Sequence, residues 1–321
     1  MIFEKQIVGA FRAMMFSRCD DKGTAHYFSH TDFEGLRSRP FSFTAKAGHT
    51  LNGSFYFYDG CKEDRLIVFD HGFGGGHRSY MKEIEKLCQE GYKVFAYDHT
   101  GCMTSGGESA NGLSQSLGDL DCAITALKAL PELSGVDLSV IGHSWGGFST
   151  MNIPALHSDI SHIVGISGFV SPELLIASYF GGIMKGYRKP VMRLEEEANP
   201  EYCRFDATRT LAQTSAKALL IYSENDMMCK KKPHYDALES ALSHKEGVKL
   251  LLVKNKGHNP NYTEDAVKYL GEYLEKKRKF EKQGKLVTDE QRAAFVSSFD
   301  WHRMTEQDES IWEEIFAFLR S

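Results

Sequence analysis

The 321-residue chain has no uninterrupted apolar run of about 18 residues, so no membrane-spanning helix is expected. Its seven cysteines are odd in number and scattered, and no two share C-x-x-C spacing. That argues against a zinc site or a disulfide framework and favours a reducing, cytoplasmic setting. A formal net charge of −5 gives no electrostatic reason to expect nucleic acid or an anionic membrane as partner. Internal repeats and low-complexity segments are absent. The amino-terminal stretch carries Glu4, Lys5 and Arg12 among its apolar residues, so it does not read as a signal peptide.

What remains is ordinary globular composition, 42% hydrophobic and 25% charged, enough for one large α/β domain with an insertion or for two modest domains. Phe3, Ile7, Phe11 and Met14, flanked by Val8 and Met15, recur at helical spacing. They predict a leading amphipathic helix packed on the main body, within an extension over residues 1–40. Phe41–Ala45 and Leu51–Tyr58 are aromatic and β-prone, and read as an antiparallel pair. From Leu66 onward short apolar runs alternate with helical stretches. The runs are Leu66–Phe69, Tyr92–Tyr97, Leu138–Ile141, Ile163–Ile166, Ala218–Tyr222 and Val248–Val253. Between them lie Tyr80–Glu90, Ser116–Leu130, Phe148–His157 and His234–Leu242, with Thr263–Lys277 after the last. This rhythm predicts an α/β fold with a mostly parallel central sheet flanked by helices.

No strand pattern is visible between Gly168 and Ala216, where Tyr179, Phe180, Ile183, Met184, Tyr187 and Met192 lie among glycines and charges. A small helical cap is expected over 169–216, inserted between core segments 41–168 and 217–321. Tyr179, Phe180 and Met184 are its candidate pocket residues. The tail after Lys277 offers helices at Thr288–Phe295 and Ile311–Leu319 but no functional signal.

Chemistry enters at residues 142–147, Gly-His-Ser-Trp-Gly-Gly, which follow the apolar run ending at Ile141. A serine on a tight strand-to-helix turn exposes its hydroxyl at the carboxyl edge of a sheet. The amides of the following helix would stabilise negative charge beside Ser144. A serine hydroxyl is a poor nucleophile unless a base takes its proton and a carboxylate orients that base. His258, in Lys-Gly-His-Asn-Pro, follows the last apolar run, and Asp226, in Ser-Glu-Asn-Asp-Met-Met, follows the one before it. His71-Gly-Phe-Gly-Gly-Gly also follows a predicted strand, but no Gly-Lys-Ser/Thr and no G-x-G-x-x-G accompanies it, so neither nucleotide fingerprint applies. The backbone N–H groups of Phe73 and Trp145 are the candidate oxyanion-hole donors.

Other residues read as structural. His143, adjacent to the serine, is expected to pack or hydrogen-bond locally. His71, His77 and His99 cluster near strand ends without the spacing of a metal site. Cys102 and Cys229 fall near the expected mouth with nothing to mark them as reactive, and Lys230, Lys231 and Lys232 read as a solvated helix start.

With these motifs in place, the chain resembles the α/β-hydrolase superfamily over roughly Phe41 to Lys277. It does so in HGFGGG, in the segment from Asp98 to Ser109, in GHSWGG, and in the Asp226 and His258 segments. The second is similar to a loop of lipase-like and serine-aminopeptidase-like members, with Met103 where they usually carry glycine; likewise Ser223 stands where many relatives carry glycine before the acid, which makes Glu224 a second candidate for that acid. The order Ser144, Asp226, His258 is that of the family's catalytic triad. The resemblance implies a cofactor-free, metal-free serine hydrolase acting on small-molecule esters of short- to medium-chain acids through an acyl-enzyme. The alternatives are a peptidase or amidase of the same fold, or a non-catalytic binding protein built on it. Nothing in the sequence addresses oligomeric state.

Overall fold

The computed structural model describes residues 3–321, so the first two residues of the expected extension lie outside the described residues. Helix α1 spans Glu4–Met15. Strands β1 (Arg37–Thr44) and β2 (Thr50–Phe57) form the antiparallel pair. There follow β3 (Arg65–Asp70), α2 (Met81–Gln89), β4 (Lys93–Tyr97), α3 (Gln115–Lys128), β5 (Asp137–His143), α4 (Trp145–Asn152) and β6 (His162–Ile166). Next come α5 (Pro172–Tyr179), α6 (Arg188–Ala198), α7 (Ala207–Gln213), β7 (Lys217–Ser223), α8 (Tyr235–Leu242) and β8 (Val248–Val253). The chain ends with α9 (Glu264–Lys282), α10 (Asp289–Ser297), α11 (Trp301–Met304) and α12 (Glu309–Leu319).

The eight strands make one sheet, ordered β1-β2-β4-β3-β5-β6-β7-β8. β1 and β2 join it antiparallel and all later pairings are parallel. β1 begins four residues earlier than its apolar pattern because it is an edge strand, where Pro40 can lack an N–H without breaking a ladder. Both faces of the sheet are covered. Along β3, Leu66 and Val68 enter one core with α3 and α4, while Ile67 and Phe69 enter the other with α2 and α12. This period-two division is why the central strands read as continuous apolar runs.

Three helices depart from the sequence reading. α4 starts at Trp145 rather than Phe148, immediately after the serine, and gives way at Ile153–Ala155 to a 3-10 turn containing Pro154. α9 continues to Lys282, and α11 was not anticipated; Asp300 caps it by accepting from the Arg303 N–H. Residues 169–216 contain no strand. α7 packs on α4 and α8 and leads into β7, while α5 and α6 pack on each other, with α1 against α6. No helix of the described residues is long and apolar enough to cross a membrane.

The tail has a role that its sequence did not signal. Lys256, nearly buried, donates through Nζ to the Tyr262 carbonyl at 2.6 Å and to Asp308 Oδ2 at 2.5 Å. The Asp308 N–H donates to the Asn261 carbonyl at 2.8 Å, and Thr263 N–H to the Glu306 carbonyl at 3.0 Å. The segment before α12 thus clamps the loop that carries His258.

Glu83, on α2, is 1% exposed, and its carboxyl accepts from Asn261 Nδ2 at 3.2 Å. Burial pushes its carboxyl up to about 7. Between the ordinary carboxyl range and that value, the folded protein holds a proton the unfolded chain has released. Stability therefore falls as pH rises through this window. Glu83→Gln keeps the neutral shape and removes the titration. Urea unfolding should show wild type losing on the order of 1–3 kcal/mol against the variant between pH 5 and pH 8. An unchanged difference between the two pH values would refute the assignment.

Candidate active site

Ser144 sits between β5 and α4 with φ 56° and ψ −108°. This is a strained conformation for a residue with a Cβ, and such outliers persist only where surroundings over-determine them. Here the Ser144 N–H donates to the Ile166 carbonyl at 2.8 Å, tying the turn to β6. Glycines make the turn possible. A Cβ on Gly146 would overlap the Asp70 carbonyl, and one on Gly142 would overlap the Gly146 carbonyl.

The three side chains expected to meet do so. His258 Nε2 is 2.8 Å from Ser144 Oγ, and His258 Nδ1 is 2.7 Å from Asp226 Oδ2. Asp226 is 2% exposed, and its other oxygen accepts from the N–H groups of Met228 at 2.7 Å and Cys229 at 3.0 Å. Burial alone would raise the Asp226 carboxyl. The hydrogen bond and charge of His258 and the two amides outweigh it, and the net shift is downward. An ionised Asp226 keeps the proton on His258 Nδ1, which leaves Nε2 free to accept from the serine hydroxyl. Glu224 is exposed and bonds through its backbone to Val253, so it is not the acid partner. Asn225 joins the two loops by accepting from the Gly257 N–H at 2.9 Å.

His143 is not a local packing residue. Burial and the neighbouring His258 push its pKa down to about 3, so it is neutral. Nε2–H donates to the His258 carbonyl at 2.8 Å, 115 residues away. Its Nδ1 accepts from the Tyr80 hydroxyl at 2.9 Å, and that hydroxyl accepts from the Gly72 N–H at 3.1 Å. One chain of hydrogen bonds therefore runs from the Gly72-Phe73 loop through Tyr80 and His143 to the backbone of His258. Adjacency to the serine hid this role, because sequence spacing says nothing about what lies across a sheet edge.

The loop is fixed from its other side as well. Burial and the adjacent His99 push the pKa of His71 down to about 3. Neutral His71 accepts from the His99 N–H at 3.0 Å through Nε2 and donates from Nδ1 to the Gly72 carbonyl at 2.8 Å. That carbonyl shares a rigid peptide plane with the Phe73 N–H, so holding one aims the other. Burial opposes charge on His99, but Asp70, 3.0 Å from Nε2, and Asp119, 3.2 Å from Nδ1, hold its pKa up at about 10. His77 pairs with Asp98 at 2.7 Å. Each of the three clustered histidines is thus engaged by protein groups that sequence spacing did not reveal. The Phe73 and Trp145 N–H groups meet no acceptor among the described residues, and both residues line the same cavity as Ser144.

That cavity has a volume of about 710 Å³. Tyr179 and Phe180 line it, together with Leu113, Phe169, Leu175 and Ile176. Met184 does not, which corrects the sequence expectation: it lies in a 3-10 turn, Gly182–Tyr187, beyond the end of α5. Cys229 lines the cavity and burial pushes its thiol far above the usual range, whereas Cys102 is a free thiol buried away from the cavity, its backbone paired with that of Cys19. Lys230, Lys231 and Lys232 precede α8; Lys230 Nζ reaches the Ser178 carbonyl at 3.3 Å. Met103 adopts φ 42°, so the loop keeps a left-handed turn at the position where glycine is usual.

A family model described as serine aminopeptidase, S33 matches residues 62–204, a span that includes Ser144 and ends before Asp226. Among solved structures, an esterase of Pyrococcus furiosus is similar at 19% identity and a TM-score of 0.60, covering 85% of this chain and 97% of that one. Acetyl xylan esterase from Paenibacillus sp. R4 is similar at 16% identity and 0.55, over 81% and 90%. Est1E from Butyrivibrio proteoclasticus, solved with ferulic acid bound, is similar at 16% and 0.56, over 74% and 98%. At these identities the likeness is one of fold.

Tyr80→Phe removes the hydroxyl that joins the Gly72 loop to His143 and leaves two polar groups unpaired. The rate at which a fluorophosphonate labels Ser144 should drop about 10–100-fold. A rate within twofold of wild type would show that the relay does not support the serine.

Proposed function

We propose that this chain, a member of the α/β-hydrolase superfamily and of its fold, is a serine hydrolase that cleaves carboxylic esters through an acyl-enzyme. The observation that carries the reading is the continuous line Ser144–His258–Asp226, with contacts of 2.8 and 2.7 Å. His258 Nε2 takes the hydroxyl proton as Ser144 Oγ attacks the ester carbonyl. Asp226 holds the imidazole in the required tautomer and stabilises it once it is charged. The N–H groups of Phe73 and Trp145 receive the oxyanion, each worth about 10²–10³-fold in rate. His258 then gives its proton to the departing alcohol. A water enters, loses a proton to His258, and releases the acid by the reverse path.

One alternative deserves comparison, since the matching family model is described as an aminopeptidase. An aminopeptidase must recognise a free ammonium beside the scissile bond, which calls for a carboxylate in reach. The cavity at Ser144 is lined by apolar side chains, the serine and Tyr179, with no aspartate or glutamate. An unpaired ammonium would lose its hydration there without compensation. This favours esters of small molecules over aminoacyl amides. Short- to medium-chain acyl groups fit such a site, in a soluble cytoplasmic setting and without a cofactor.

Ser144→Ala should lower kcat on p-nitrophenyl esters by about 10⁴–10⁶-fold with KM little changed. Retention of a tenth of the activity would remove Ser144 from the role. Against aminoacyl p-nitroanilides the wild-type protein should be slower than against p-nitrophenyl acetate. Faster anilide turnover would reverse the choice between ester and amide.

A further inference from the structure

The amino-terminal helix presents one whole face to the cavity beside Ser144. Ile7, Ala10, Phe11, Met14 and Met15 line it, a spacing of three, four and seven that forms a single stripe along α1. Phe11 and Met15 are 8% and 7% exposed, although the helix lies in an extension before the first strand. Its carboxyl end is stitched to the loop ahead of α3. The Gly112 N–H donates to the Met15 carbonyl at 3.0 Å, and Ala110 N–H to the Ser17 carbonyl at 3.1 Å. One residue on, the Leu113 carbonyl accepts from the Trp145 indole at 2.7 Å. The wall is therefore registered to the residue whose N–H is the proposed oxyanion donor. Across the cavity stand residues of α5 and the Met227-Met228 turn that follows Asp226.

We propose that α1 is the outer wall of the acyl-binding cavity, and that its Phe11-Met15 face sets the acyl length, making the substrate class esters of linear apolar acids well beyond acetate. The proposal rests on the serine-esterase reading above. A cavity of about 710 Å³ is of the size that encloses a drug-sized ligand, far more than an acetyl group needs. The polar side-chain groups on its lining are few and engaged. The Tyr179 hydroxyl donates to the Met228 carbonyl at 3.3 Å, and the Trp145 indole is used as above. A hydrocarbon chain is what such a lining accepts without loss, and burying each added methylene raises kcat/KM about three- to fourfold. Met14, Met227 and Met228 are 60%, 74% and 52% exposed. They place flexible thioethers at the mouth, where chains of different length emerge.

The test is a p-nitrophenyl ester series from acetate to palmitate on the full chain, wild type against Phe11→Trp and Phe11→Ala. Wild type should show kcat/KM rising from acetate through medium chains. Phe11→Trp fills the cavity and should lower the decanoate-to-acetate ratio at least tenfold. Phe11→Ala should move the optimum to longer chains. Unchanged ratios in both variants would overturn the proposal. Absence of wild-type turnover on every ester would instead overturn the esterase reading. A measurement on wild type alone guards against misfolded variants. Ser144 is labelled with a methyl or a decyl fluorophosphonate, the Oγ–P bond forming as fluoride leaves. Peroxide oxidation of Met14 and Met15 is then followed by mass spectrometry. The decyl adduct should shield them severalfold more than the methyl adduct; equal oxidation rates would refute the wall.

Discussion

The site depends on one uncomfortable residue. Ser144 occupies a backbone conformation that costs a residue with a Cβ about 1–3 kcal/mol. It stays there because Gly142 and Gly146 let β5, α4 and the end of β3 approach closer than any side chain would permit. The consequence is geometric. The hydroxyl stands clear of the sheet, the Trp145 N–H opens the next helix, and Ile166 on the neighbouring strand anchors the turn through its carbonyl. Relaxing the turn would return the serine to the strand and scatter the rest of the site.

Around that turn, polar groups are held rather than left to solvent. Neutral His143 and neutral His71 each use both ring nitrogens, one to a donor and one to a carbonyl. Each therefore fixes a backbone segment from a distance. His99, charged between Asp70 and Asp119, lies 4.7 Å from the Trp145 ring and completes a buried base beneath the serine turn. Such groups are costly to bury unless fully partnered. Their partnering explains why so many histidines and aspartates can lie at the carboxyl ends of central strands. The tail extends the same logic outward, with Asp308 meeting the nearly buried Lys256 and so bracing the loop of His258.

Much of this was legible in the chain. Short apolar runs marked the central strands because both sheet faces are covered, and GHSWGG, the Asp226 loop and the His258 loop each followed such a run. Ser144, His258 and Asp226 could be nominated because their placement at strand ends is a local property. Met184 was misplaced because hydrophobic composition in a strandless segment does not say which side chains turn inward. The contacts of His143, Tyr80 and α1 were not legible because their partners are remote in sequence. Periodicity along α1 revealed an apolar face, but it could not tell packing against a core from lining a cavity.

The amino-acid sequence by itself determined the alternation of strand and helix, the glycine-flanked serine turn and the chain order of the three candidate site residues. These follow from periodicity, backbone sterics and residue chemistry, all of which act over a few neighbouring residues. Only the tertiary structure decided that the imidazole lies within reach of the hydroxyl, that Asp226 rather than Glu224 orients it, and that an extension and a tail help build the site. Those outcomes depend on distances between segments 32, 52 and 114 residues apart, and such distances are set by how whole layers pack.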